Sequence, residues 1–299
     1  MKPSRLLTRQ SFAATALLCA ALTATAQVPS RQAQESAPAR EDAQALVHQG
    51  LRLADAGHHA GAVEAYNHAL RLAPNDAAIY NNLGGSYARL KRYEEAFAAL
   101  ERAVALQPDF AVAHYNLGEV YGITGRDAAA LAEYGRALTL DPKYNKAHVK
   151  MCQTYLALER DNEAVACYET LLKRAPQDAE TRANYGYALF RTKQHKKAVA
   201  TLEEAVRLSP ADVGAYLNLA SGLVYTKRYD QAILVLRHAL ELKPDCEEAR
   251  YNLAAAYLAA KNRTAALEQY VILKRTDEAR AQQLYELMFS KQILSVKPN

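Results

Sequence analysis

Five asparagines, Asn82, Asn116, Asn184, Asn218 and Asn252, stand 34 residues or twice that distance apart. A carboxamide carries both a donor and an acceptor, the two groups needed to hold the C=O and N–H of an extended peptide without reading its side chains. On an exposed helix asparagine costs roughly 0.6 kcal/mol relative to alanine, so local stability does not explain the choice. The two other places at this spacing hold His48 and Lys150. Close by in the same register fall Tyr115, Tyr187, Phe190, Tyr225 and Tyr251, amphipathic or aromatic side chains of the kind that anchor interfaces. Lys146 and Lys150 add two ammonium groups suited to an acidic group or a chain terminus. These residues form the candidate binding site.

Other chemistry lacks its residues. The sequence contains no HExxH, no GxGxxG and no phosphate-binding loop. Gly84-Gly85-Ser86-Tyr87-Ala88 approaches a nucleophile elbow but falls within a helical pattern with no strand before it. Of eight histidines, His48, His58, His59 and His68 crowd one stretch without a zinc spacing, and solvated side chains are expected there. The expectation is therefore a protein without catalytic residues, metal or cofactor.

The elements that must position the candidate site follow from six prolines, Pro74, Pro108, Pro142, Pro176, Pro210 and Pro244, each 34 residues from the next. A fixed period held five times marks a repeat array. With the proline as residue 32, seven units start at Ala43, Ala77, Ala111, Asn145, Ala179, Val213 and Glu247. Position 20 is alanine in all seven units, whereas positions 11 and 24 are always leucine or tyrosine. Small against large lets paired helices approach and interdigitate. Positions 4, 7, 8 and 11 mark one face of a first helix, and 20, 24, 27 and 28 one face of a second. The proline ends the second helix, because it lacks an N–H and restricts the residue before it. Positions 2, 6, 9 and 13 then point away from the core, and that is where the asparagines stand.

Tyr80-Asn81-Asn82-Leu83-Gly84 with Tyr87, Ala96, Ala103 and Pro108, and Tyr115-Asn116-Leu117-Gly118 with Tyr121, Ala130, Ala137 and Pro142, resemble the tetratricopeptide repeat. The resemblance spans residues 43 to 280 in seven units: 43–76, 77–110, 111–144, 145–178, 179–212, 213–246 and 247–280. It implies an all-α solenoid, a right-handed superhelix whose concave groove is lined by the first helices. The asparagine spacing resembles the ladder in the tetratricopeptide arm of O-linked N-acetylglucosamine transferases, whose catalytic domain has no counterpart here. Asn116, Lys146 and Lys150 resemble three parts of the carboxylate clamp of tetratricopeptide co-chaperones, but Asn81 and Gly85 stand where its two preceding parts belong. Unit four departs from the pattern with Met151-Cys152, Leu171 and Arg174, so looser or differently angled packing is expected there. Residues 281–299 hold a closing helix with Leu284, Leu287 and Met288, required because the last unit otherwise exposes an apolar face.

Twelve glycines and ten prolines in 299 residues fall well below the roughly 12% average for the two together, against turn-rich folds. Residues 1–26 differ from the rest: Lys2, Arg5 and Arg9 precede an acid-free apolar run ending Ala24-Thr25-Ala26, the pattern of a cleaved secretory signal. A mitochondrial presequence fits less well, and Leu18 before Cys19 argues against a lipoprotein. Without this segment the net charge falls from +5 to +2, which leaves nucleic acid little to hold. No remaining run reaches the ~20 apolar residues of a membrane span. Residues 27–42 lack a helical period and are expected to be a flexible leader. Cys152, Cys167 and Cys246 are odd in number; Cys152 and Cys167 are read as small packing residues rather than a disulfide.

The sequence thus points to an exported scaffold or adaptor, in a bacterial periplasm, that binds a peptide segment or partner protein. An accessory in polysaccharide handling is the alternative, since aromatic grooves also suit sugar faces. A reporter fused behind residues 1–26 should leave the bacterial cytoplasm, and one retained there contradicts the export reading.

Overall fold

A computed structural model describes residues 37–293, and the export segment of residues 1–26 lies outside them. The chain forms α1 (Ala37–Asp55), α2 (His59–Leu72), α3 (Ala77–Arg89), α4 (Tyr93–Leu106), α5 (Ala111–Ile123), α6 (Asp127–Leu140) and α7 (Asn145–Ala157). It continues with α8 (Asp161–Arg174), α9 (Ala179–Arg191), α10 (His195–Leu208), α11 (Val213–Tyr225), α12 (Tyr229–Leu242), α13 (Glu247–Ala259), α14 (Arg263–Thr276) and α15 (Glu278–Ile293). There is no strand among the described residues. Seven hairpins stack into an all-α solenoid, closed by α15 through Leu284 and Met288.

The hairpins close on one contact. A Cβ built on Gly84 would lie 2.6 Å from Leu100 Cγ, and one on Gly118 2.6 Å from Tyr134 Cε1. Gly50 and Gly186 face Tyr66 and Leu202 in the same way. Position 8 must be glycine there because the large residue at position 24 occupies the space its side chain would need. Across the array, the two helices of a hairpin lie closest where position 8 is glycine. They lie less close where it is Ala220 or Ala254, and least close at Cys152.

The ends of the helices are equally local in origin. Second helices stop two residues before each proline, at Leu72, Leu106, Leu140, Arg174, Leu208 and Leu242. Unit seven lacks the proline, yet α14 ends at the equivalent Thr276, where Asp277 accepts the Arg280 backbone N–H at 2.9 Å and starts α15. Between paired helices one residue per turn is left-handed: Gly57, Lys91, Gly125, Glu159, Lys193, Lys227 and Lys261. Units three, five and seven are each tied to the unit before by a donor at position 4. His114 Nε2 reaches the Pro108 carbonyl at 3.0 Å and Arg250 the Pro244 carbonyl at 2.7 Å, and Arg182 does the same to Pro176.

Unit four breaks this scheme. His148 holds position 4 there, and Arg174 reaches the Pro142 carbonyl instead while facing His148 Nδ1 at 3.3 Å. Burial first, and the Arg174 charge second, hold His148 below the usual imidazole range. The expectation that Cys152 and Cys167 are unlinked is corrected: they form a disulfide between α7 and α8, with Cα atoms 5.5 Å apart. Cys152 stands at the glycine position, so its Cβ and Sγ hold the hairpin open and a covalent bond joins it. Cys246 is free. A second correction concerns the leader, because residues 37–42 are helical. Ala37, Ala39, Arg40 and Glu41 are good helix formers, and a helix nucleated by the packed part of α1 extends over them at little cost.

Gly118→Ala should therefore lose about 1–3 kcal/mol to overpacking. Gly135→Ala, on α6 with open space around it, should gain up to about 1 kcal/mol. Urea unfolding of the two variants checks this, and equal shifts contradict the seam. Breaking Cys152–Cys167, which closes a separation of 15 residues, should cost about 3 kcal/mol. Unfolding with and without reductant measures it, and coincident curves contradict it.

Candidate functional site

The first helices of successive hairpins touch one another, α1 with α3, α3 with α5, α5 with α7, α9 with α11 and α11 with α13. Second helices have no comparable contact with each other, so the first helices line the shorter, inner side of the array. The gap between α7 and α9 falls at the unusual fourth unit. Asn82, Asn116, Asn184, Asn218 and Asn252 are all partly exposed on these first helices. None is sealed in the core.

Two clefts divide the inner face. The first, of about 970 Å³, runs over units one to four and is lined by Asn82, Asn116, Lys146, Asp55, Arg89 and Glu119, among others. Asn116 and Asn82 are not independent in it. Buried Asn81, 6% exposed, accepts from Asn116 Nδ2 at 2.8 Å and donates to Asn82 Oδ1 at 3.3 Å. This chain of amides fixes two of the candidate residues and leaves the Asn116 carbonyl and the Asn82 amino group out of it. By contrast, no side-chain hydrogen bond within the described residues commits Asn184, Asn218 or Asn252.

Lys146 is exposed, but the reading of Lys146 and Lys150 as a pair of available cations is corrected. Lys150 Nζ lies 3.2 Å from Glu119 Oε1, and the same oxygen accepts from Tyr134 Oη at 2.9 Å. Glu119 sits at position 9, one turn from Asn116, and cancels one of the two charges. Burial, followed by the Glu119 charge, pushes the Tyr134 and Tyr115 hydroxyls well above the ordinary phenol range. Tyr115 packs between Tyr134 and Tyr144, with ring centroids 6.0 and 5.0 Å away. It supports the helix pair more than it faces the cleft.

The second cleft, of about 300 Å³, is lined by Phe190, Ala220, Ser221, Val224, Tyr225, Leu236, Asn252 and Ala255. Phe190 and Tyr225 meet edge to face at 4.9 Å, and His195 stacks on Tyr225 at 4.7 Å. Tyr225 is 64% exposed. Tyr187 is exposed beside the Arg191 guanidinium, and Tyr251 packs against the core under the closing helix. Asn81, Glu119 and His195 are thus the residues that sequence reasoning passed over. Glu119 stands at an outward position and could have been found by reading that register for charge as well as for amides. Among the described residues no group of three His, Cys, Asp or Glu side chains is placed to hold a metal ion, and no helix is long and apolar enough to cross a membrane.

Sequence profiles described as tetratricopeptide repeat match residues 75–143, 150–213 and 223–287, and one described as TPR repeat matches 50–91. No curated protein matches the chain. Among solved structures, the C-terminal part of a TPR repeat-containing protein from Cytophaga hutchinsonii is similar with a TM-score of 0.65 and 18% identity, over 80% of this chain and 98% of that one. YrrB, described as a TPR protein with an unusual peptide-binding site, is similar at 0.56 and 21% identity, over 62% and 96%. PilF of Pseudomonas aeruginosa is similar at 0.59 and 20% identity, over 70% and 96%.

Glu119→Gln keeps an acceptor for Tyr134 and releases Lys150. Binding of a tri-aspartate peptide at low salt should then tighten roughly two- to fivefold, the scale of one exposed ion pair, measured by calorimetry. Unchanged binding contradicts the role given to Glu119.

Proposed function

Because the chain belongs to the tetratricopeptide-repeat family, we propose that its inner face captures an extended segment of a partner protein and that the protein works as an exported scaffold or adaptor. The observation that carries this reading is the set of three amides, Asn184, Asn218 and Asn252, that stand partly exposed in register without an intramolecular partner. A side chain kept at some cost in helix propensity, and left unpaired, has its hydrogen-bonding capacity available for a guest backbone. An extended chain presents C=O and N–H groups at regular intervals, and a periodic array of amides meets them without selecting sequence. The ladder resembles that of O-linked N-acetylglucosamine transferases in spacing alone. YrrB, of the same fold, is described as having a peptide-binding site.

Export is supported by the pattern of residues 1–26 and by the Cys152–Cys167 disulfide. Structural disulfides persist in oxidising compartments such as the bacterial periplasm and are rare in the cytosol. An assembly role in the envelope is the setting this combination favours.

Asn184→Ala combined with Asn218→Ala should weaken capture of a degenerate ten-residue peptide library about 30- to 150-fold, the loss of two to three hydrogen bonds of about 1 kcal/mol each. Fluorescence anisotropy reads the affinity and circular dichroism the helix content. Unaltered capture by a folded double variant overturns the reading.

A further inference from the structure

Position 9 of each unit faces the inner side, and its size changes along the array. It is Glu119, Gln153 and Tyr187 in units three to five but Ser221 and Ala255 in units six and seven. Where these small residues follow the large ones the floor of the groove drops to Leu236 and Ala220, both almost fully buried. Phe190, Val224, Tyr225 and Asn252 also line the depression. The Ser221 hydroxyl donates to the Leu217 carbonyl at 3.1 Å, so the interior presents almost no free donor.

About 300 Å³ is the lower end of the range for small-molecule sites. It suits one large side chain entering from the groove. Tyr225 also borders a second depression of about 460 Å³, lined by Lys193, His195, Lys196 and Lys197. Lys197 is paired with Glu169 at 2.9 Å. Lys193 and Lys196 are exposed and form no ion pair within the described residues. The walls therefore select an apolar group, and the charge beside them selects an anion.

We propose that units five to seven hold a specificity pocket for one leucine- or phenylalanine-sized side chain of an extended peptide that carries an acidic residue next to this anchor. The proposal rests on the peptide-capture reading and adds to it the class of segment recognised. The Asn252 amide holds the backbone at the anchor, and Lys193 and Lys196 meet the neighbouring carboxylate. The amide ladder tolerates many sequences, whereas the pocket makes the choice.

The test uses the full chain and degenerate ten-residue peptide libraries in which one central residue is fixed as Phe, Leu, Ala or Lys. Burial of a large apolar side chain should make the Phe and Leu libraries bind roughly ten- to a hundredfold tighter than the Ala library. Fixing Asp beside Phe should add a few-fold at low salt that is lost at high salt, and fixing Lys there should not. Ala255→Leu fills the pocket and should abolish the advantage of the Phe library over the Ala library. Ser221→Leu, on the neighbouring helix, should repeat this result. Equal affinity for Phe and Ala libraries overturns the pocket alone. So does an advantage that survives in both filled variants. Failure of every library, or binding only to a glycan array, overturns the peptide reading together with it.

Discussion

The contact of a position-8 glycine with the large residue at position 24 sets the geometry on which the rest depends. Glycine inside a helix sacrifices about 1 kcal/mol relative to alanine, and four units accept that at Gly50, Gly84, Gly118 and Gly186. What they gain is close approach of two helices around a buried leucine or tyrosine. Each hairpin is too thin to bury both of its faces, so stability comes from stacking on neighbours. That stacking turns first helices inward and brings residues 34 positions apart into line. A row of amides on one surface is a consequence of this seam.

The fourth unit shows what happens when the seam changes. Cys152 replaces the glycine, the helix pair opens, and the disulfide to Cys167 supplies a covalent restraint where close packing is reduced. The link between units is rewired as well, with Arg174 in place of the position-4 donor. The inner face divides at this point into a polar stretch with Asn82, Asn116, Lys146 and Glu119 and a more apolar one around Phe190 and Tyr225. A guest crossing the whole face would meet hydrogen-bonding groups at one end and a side-chain pocket at the other.

Much of the fold was legible because its cause is periodic: six prolines, an invariant alanine and alternating large residues can be read by counting. The pairing of Cys152 with Cys167 was not, since two cysteines on facing helices are equally good small packing residues and only the distance between their Cα atoms decides. Residues 37–42 were misjudged because a helix can continue past its apolar stripe on propensity alone. The outward register of the asparagines followed from helix periodicity, but their differing commitments did not. Asn81 sits one residue from Asn82, and its role in holding Asn116 depends on how closely α3 and α5 approach. In the same way Lys150 loses its freedom to a glutamate 31 residues earlier in sequence, a neighbour only through stacking.

The most direct measurement is the side-chain amide spectrum of asparagine by ¹⁵N nuclear magnetic resonance, with resonances assigned by single substitution, during titration with the tightest-binding library peptides. The account predicts shifts at Asn184, Asn218 and Asn252 that saturate together, with no change at amides on the second helices. Saturation accompanied by shifts confined to the outer surface, with these three unmoved, would contradict it.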